Sequence, residues 1–268
     1  MNTASVSNAD FVSPGQTQAS LGRVFTLAYG LVCYLSFVVA FGYAIGFVGN
    51  WLVPKGIDDG TPGPLLPSLL INGGLLSLFV LQHTIMARPA FKRWWTKVIP
   101  APIERSTFVL LASSILLLTF WQWRSLPQLI WSVEGWPAAA LSIISLCGYA
   151  IVFIASCTIS HFDLFGLRQT WIRFNNRPYT PVGFRLAGFY RLVRHPLMVG
   201  FLIAFWATPK MSVGHLFFSI MTTLYILFGT FIEERDLIAQ HGEEYLTYKR
   251  RVRGLLPLPK AVRIANSA

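Results

Sequence analysis

The sequence predicts an all-α integral membrane protein: a polytopic helical bundle of about five spans, the last part folding back as a helical hairpin. Three observations predict it. Of 268 residues, 54% are hydrophobic and only 12% are charged, against about 25% charged in ordinary soluble domains, and the mean hydropathy is +0.53. The apolar residues come in blocks long enough to cross a bilayer, about 20 residues each. The cations gather in the links between those blocks.

The first span is expected at residues 24–48. The polar stretch before it, residues 1–20, reads as a mobile tail, because it lacks a cluster of cations and the apolar block behind it is too long for a signal-peptide core. The second span is expected at 65–87, the third at 106–123 and the fourth at 137–159. A fifth apolar region, 196–232, is broken at Thr208-Pro209-Lys210 and reads as a hairpin. Its first arm, 197–207, is short for a full crossing. Residues 21–268 therefore read as one membrane-embedded domain.

The links set the orientation. Of the 22 Lys and Arg residues, 18 lie in segments 88–105, 161–194 and 233–268, whereas links 51–64 and 124–136 hold one each. Such alternation places the three rich segments, and the N-terminus with them, on the cytoplasmic side. Trp51, Trp121, Trp123, Trp131 and Trp136 fall near span ends on the other side, as an interfacial belt would. The net charge of +11 thus points to contact with membrane lipid and not to nucleic acid. Cys33, Cys147 and Cys157 sit inside apolar blocks with no zinc or disulfide spacing and read as small buried hydrophobes. No metal site is expected.

Two charged clusters flank the hairpin. In YRLVRHPLMVG (190–200), Arg191, Arg194 and His195 crowd against Pro196. In FIEER (231–235), Glu233 and Glu234 precede Arg235. A hairpin returns its end to the side of its start, so the clusters should meet in space. Arginine suits a planar carboxylate or a phosphate. Glu233 and Glu234 suit an ammonium or ribose hydroxyls, and Tyr190, Tyr245 and Tyr248 suit a base or a cation. One ligand that uses all of these is S-adenosylmethionine. A nucleoside triphosphate fits less well, since no Gly-rich phosphate loop is present.

Arg194-His195-Pro196-Leu197-Met198-Val199-Gly200, then Glu233-Glu234, then HGEEYLTYKRRV (241–252) together resemble the C-terminal core of the membrane methyltransferases. That superfamily includes the isoprenylcysteine carboxyl methyltransferases and the phospholipid N-methyltransferases. The resemblance covers about residues 188–259, with Met198 where the pattern often has Tyr. A second stretch, FVLQHTIMARPAFKRWW (79–95) with PIERSTFVL (102–110), resembles the NnrU-like membrane proteins. With SHFDLFGLRQ (160–169) joining the two, residues 25–259 look like the bacterial methanethiol S-methyltransferases. The resemblance implies S-adenosylmethionine as methyl donor and methanethiol as acceptor, giving dimethyl sulfide by direct in-line transfer. It implies cofactor contacts from Arg168, Tyr190, Arg191, Arg194, His195, Pro196, Leu197, Gly200, Glu233, Glu234, Tyr245, Tyr248 and Arg251.

A thiol reacts as its thiolate, so the site needs a base or a local positive field. His83, His161 and Asp163 are the catalytic candidates. His161 and Asp163 can pair only if the helix has ended, because residues two apart do not face each other on a helix. Plainer roles are expected elsewhere. Asn72 and Gln82 read as interhelical hydrogen-bonders, His215 as structural, and Glu104-Arg105 as a local ion pair. Lys249 and Arg250 read as lipid-facing charges, and Arg173, Arg177 and Arg185 as topology charges. Competing functions are methylation of a prenylcysteine carboxylate, a phospholipid amine or a larger thiol, a haem-binding NnrU-type protein with His83 as axial ligand, and a non-catalytic membrane scaffold.

Overall fold

The computed structural model describes residues 14–180 and 187–256. Arg185, the start of the expected tail and the end of the 188–259 core lie outside the described residues. The elements run α1 (Pro14–Gly49), α2 (Leu65–Ala87), α3 (Pro89–Trp95), α4 (Ala101–Gln122), β1 (Leu129–Ser132), α5 (Gly135–Ile159), α6 (His161–Leu164) and α7 (Leu167–Phe174). A 3-10 turn (Gly188–Arg191), α8 (Pro196–Trp206), β2 (Lys210–Ser212), α9 (Val213–His241) and α10 (Glu243–Arg251) follow. The chain is an integral membrane helical bundle: α1 from Ser20, α2, α4, α5 and α9 are each long and apolar enough to cross. Large apolar side chains such as Phe25, Leu66 and Phe231 face outward, as lipid-facing surfaces do. At 11 residues, α8 spans about 16 Å at 1.5 Å per residue, roughly half of a bilayer's hydrocarbon core.

Local chemistry sets the element ends. Proline occupies one of the first two positions of α3, α4 and α8, where its missing N–H costs nothing and its φ is already helical. The Ser212 hydroxyl caps α9 by accepting the His215 N–H at 3.0 Å, and Gly242, at φ 55°, stops it. Four expectations change. Helix α1 begins at Pro14, inside the stretch read as a tail. Helix α9 continues past residue 232 to His241, because nothing before Gly242 breaks it, so Glu233 and Glu234 lie within a helix. Trp123 is fully buried against Phe47 and Phe218 and leaves the interfacial belt, whereas Trp51, Trp121, Trp131 and Trp136 stay exposed. Cys147 and Cys157 sit on an exposed face of α5, and only Cys33 is buried.

The links sort to two ends. At one end β1 pairs antiparallel with β2. There Ser125 donates to the Asp58 carbonyl at 2.7 Å, Ser212 donates to the Asp58 carboxylate, and Lys55 donates to the Trp121 and Trp123 carbonyls. Buried Asn72 joins α2 to this end, accepting the Arg124 N–H and donating to the Arg124 carbonyl, both at 2.8 Å. Asn72→Ala leaves that buried backbone pair unmatched, and urea unfolding should show a loss of roughly 1–3 kcal/mol. The other end gathers the cation-rich segments through Arg88–Asp236 at 2.7 Å, Arg105 to the Leu164 carbonyl at 2.7 Å, and Arg194–Glu234. Helices α5 and α8 touch backbone to backbone: a Cβ on Gly200 would lie 2.6 Å from the Gly148 carbonyl oxygen. Gly200 therefore serves helix packing, as small residues do in membranes.

Candidate active site

The charged end of the hairpin is built around one carboxylate. Glu234 Oε1 accepts from Arg194 Nε at 2.8 Å and Nη2 at 2.5 Å, and His195 Nε2 lies 3.1 Å away. Lys249 Nζ, on α10, meets Glu234 Oε2 at 2.7 Å. Glu233 approaches His195 Nδ1 at 3.6 Å. The side chains of Arg194, His195 and Glu234 are almost wholly buried. Expected basic and acidic clusters do meet, but Arg194 and Glu234 hold each other. Lys249, expected to face lipid, completes the clasp.

Backbone pairing fixes the same place. The Arg194 N–H donates to the Arg253 carbonyl at 2.8 Å and the His195 N–H to the Gly254 carbonyl at 3.1 Å. Arg194 Nη1 also donates to the Val252 carbonyl, and the Tyr248 hydroxyl donates to the Tyr190 carbonyl at 2.6 Å. The turn before α8, helix α9 and the segment after α10 are thus one rigid unit.

Burial pulls the His195 imidazole down, but the Glu233 and Glu234 carboxylates outweigh it and hold it above the usual histidine range. A raised native value adds stability that is complete below the unfolded value of about 6.5 and is lost as pH rises through the native value. The unfolding temperature should therefore fall as pH climbs above 6.5, and His195→Gln should flatten that fall.

Beside the clasp opens a cavity of about 510 Å³ lined by Tyr190, Arg191, Glu243, Glu244, Thr247, Tyr248, Arg251 and Val252. Its size suits a small-molecule ligand. Glu244 and Arg251 stand seven residues apart on α10, on one face of the helix, so the rim offers an anion and a cation. The buried Tyr190 hydroxyl has no hydrogen-bond partner among the described residues. Burial, with Glu233 adding to it, raises its pKa. Burial also pushes Tyr248 up to about 12, against the pull of Arg194. Both phenols therefore remain O–H donors at neutral pH.

The other expected residues divide. Tyr245 is buried with its ring 5.9 Å from Tyr248, and Pro196 is the buried first residue of α8, with Leu197 next to it. Arg168 does not reach the cavity: it pairs with Asp163 at 2.8 Å and donates to the Thr180 carbonyl. Asp163 also accepts from Tyr179 at 3.2 Å, so the chain beyond α7 is pinned there. His161 and Asp163 do not pair, although α5 has ended at Ile159. Instead His161 Nδ1 lies 2.8 Å from the Ser156 hydroxyl and Nε2 lies 3.0 Å from the Tyr34 hydroxyl, which engages both ring nitrogens. Burial lowers the His161 pKa and keeps it neutral. His83 Nδ1 lies 2.6 Å from the Tyr225 hydroxyl, with Phe79 and Phe108 against its ring. His215 Nε2 meets the Phe205 carbonyl at 2.9 Å, a structural bond as expected.

Sequence reasoning read Lys249 as facing lipid and passed over Glu244 and Tyr225. For the first two a signal existed: α10 carries acids in its first turn and bases in its last, at spacings that align one face. Tyr225 sits inside an apolar run and carries no such signal.

Residues 70–233 match the family model of the NnrU protein. The chain is similar to a methanethiol S-methyltransferase of Mycobacterium tuberculosis, 50% identical over 239 residues, covering 88% of this chain and 98% of that protein. It is 47% identical over 239 residues to a methanethiol S-methyltransferase of Crocosphaera subtropica, covering 88% and 93%. It is 25% identical over 228 residues to Nurim of Rattus norvegicus, covering 75% and 86%. No solved structure matches the chain.

Proposed function

The chain belongs to the NnrU family and is similar over most of its length to named methanethiol S-methyltransferases, and from that premise we propose that it methylates methanethiol to dimethyl sulfide with S-adenosylmethionine as donor. One observation carries the reading: half-identity to a named methyltransferase extends over 88% of the chain, so it takes in both the spans and the charged end. The donor set at that end fits S-adenosylmethionine. Arg191 and Arg251 can hold its carboxylate, and Glu244 and Glu233 its ammonium or ribose hydroxyls. Tyr190 and Tyr248 offer ring faces to the purine and the sulfonium, and the Tyr190 O–H offers an unused donor. The Arg194–Glu234–Lys249 clasp is the frame that keeps these groups in place. When bound, the donor supplies an electrophilic methyl group on a sulfonium.

The apolar spans supply the rest. Thiolate and sulfonium neutralise each other as the new bond forms, so a chamber that excludes water favours reaction. Methanethiol is small, apolar and able to enter from the bilayer. By the positive-inside pattern, the donor cavity faces the cytoplasm of a bacterial inner membrane.

Cells expressing the chain and fed methanethiol should release dimethyl sulfide into the headspace. Arg251→Glu should raise the KM for donor more than about tenfold, since it turns an attraction into a repulsion at the rim. Donor binding to purified protein without dimethyl sulfide would move the acceptor to a prenylcysteine carboxylate, a phospholipid amine or a larger thiol. A haem absorption band in the purified protein would replace the reading altogether.

A further inference from the structure

We infer that His83, Arg105 and Tyr225 form the thiol-activating site, His83 taking the thiol proton, Tyr225 aligning the imidazole and Arg105 facing the thiolate. This rests on the reading of the chain as a methanethiol methyltransferase and names the residues that meet its acceptor.

The three candidate bases separate on geometry. Both ring nitrogens of His161 are engaged, and the Asp163 carboxylate is held by Arg168 and Tyr179. His83 uses only Nδ1, toward Tyr225 at 2.6 Å. Its Nε2 has no partner among the described residues. The Tyr225 contact fixes the ring plane and leaves that nitrogen for a ligand. Phe79 and Phe108, with ring centroids 5.4 and 5.0 Å from that of His83, wall the place with apolar surface suited to a methyl thiol.

Arg105 reaches the same aromatic wall from α4. Its Cζ lies 4.7 Å from the Phe108 ring centroid, and its Nε is spent on the Leu164 carbonyl. The expected Glu104–Arg105 ion pair is not formed. Neighbours on a helix point about 100° apart, and the two Nη groups carry no hydrogen bond among the described residues. His83 and Arg105 both lie against the Phe108 ring, and an imidazole with one open nitrogen and a guanidinium with open donors around one apolar wall make a place for a small anion. The charged groups acting on His83 are Arg105 and Arg88. Those acting on Arg105 are Glu104, Asp163 and Tyr179. On α9, Tyr225 stands eight residues before Glu233, about 12 Å along the axis, so the thiol meets His83 deeper in the bundle than the charged rim.

The reaction balances without a further reagent. The S–H bond breaks toward His83 Nε2, and the electron pair stays on sulfur. The imidazolium donates its Nδ1–H to the Tyr225 oxygen, and the Arg105 guanidinium faces the thiolate. A sulfur lone pair then forms the new C–S bond as the donor's S–CH3 bond breaks, and that pair stays on the donor's sulfur. The proton leaves His83 for water. Thiol and sulfonium become two thioethers and one proton.

The test uses full-length protein in detergent, with methanethiol turnover measured across pH and donor affinity by calorimetry. His83→Asn should lower kcat about 10²- to 10⁴-fold with donor Kd unchanged. Its deficit should shrink as pH rises, because the thiol then ionises unaided. Tyr225→Phe should lower kcat about tenfold with KM held, as a misaligned base does. Arg105→Gln should impair turnover, and Arg105→Lys should restore most of it. Wild-type rates in these variants, or a His83→Asn deficit constant with pH, would overturn this inference alone. A wild type that binds donor but makes no dimethyl sulfide would overturn the acceptor and this inference together.

Discussion

Glu234→Ala should cost about 3–5 kcal/mol of stability and abolish turnover, the range observed when one partner is removed from a buried ion pair. Glu234 pairs with both Arg194 and Lys249, and His195 shares it at 3.1 Å. Its loss takes the shared carboxylate away from Arg194, His195 and Lys249, and the side chains of the first two are almost wholly buried. The same carboxylate joins the head of α8, the last third of α9 and the face of α10, so the cavity wall loosens with it. Thermal unfolding followed by tryptophan fluorescence reads the first effect, and donor calorimetry reads the second. Glu234→Gln should fall between wild type and Ala, because it keeps an acceptor but not the charge. Turnover that survives Glu234→Ala at an unchanged melting temperature would mean that the clasp is not the frame of the site.

Gly148→Val is the second large effect. An added Cβ at Gly148 would lie 2.6 Å from the Gly200 carbonyl oxygen and 2.6 Å from the Ala204 nitrogen. Both are backbone atoms and cannot rotate away. Overpacking of this kind costs about 1–3 kcal/mol and sometimes more, and the valine methyls make the collision worse. The relief available is separation of α5 from α8, and α8 carries His195 and Pro196 at its head. A lower melting temperature should therefore come with weaker donor binding, although Gly148 is not one of the residues that line the cavity. Gly42→Ala is the matched control: a Cβ there meets nothing within 4 Å, so both quantities should stay at wild-type values.

The spans were legible because lipid-facing helices write their length directly as apolar run length. The expected 65–87 is α2, and the expected break at 208–210 falls in the turn between α8 and α9. Polar helix extensions were less legible. The end of the apolar run at 232 marks where α9 leaves hydrocarbon, not where its backbone hydrogen bonding stops, and Gly242 supplies that stop. At the site, the RHP and EE motifs placed Arg194, His195 and Glu234 together correctly. A motif names residues that are near each other but does not say whether they bind a ligand or one another, and here the ion pair closes internally. Tyr225 was passed over and Arg105 was read only as half of a local ion pair because their partners lie on other elements: His83 across the bundle for the one, the Leu164 carbonyl for the other. No spacing in the linear sequence carries that information.

The most direct measurement is gas chromatography with mass detection on purified protein given methanethiol and S-adenosylmethionine labelled with deuterium in the transferred methyl group. The account predicts dimethyl sulfide carrying one fully deuterated and one unlabelled methyl group, formed in step with demethylated donor. No labelled dimethyl sulfide from folded protein that binds the donor would contradict it.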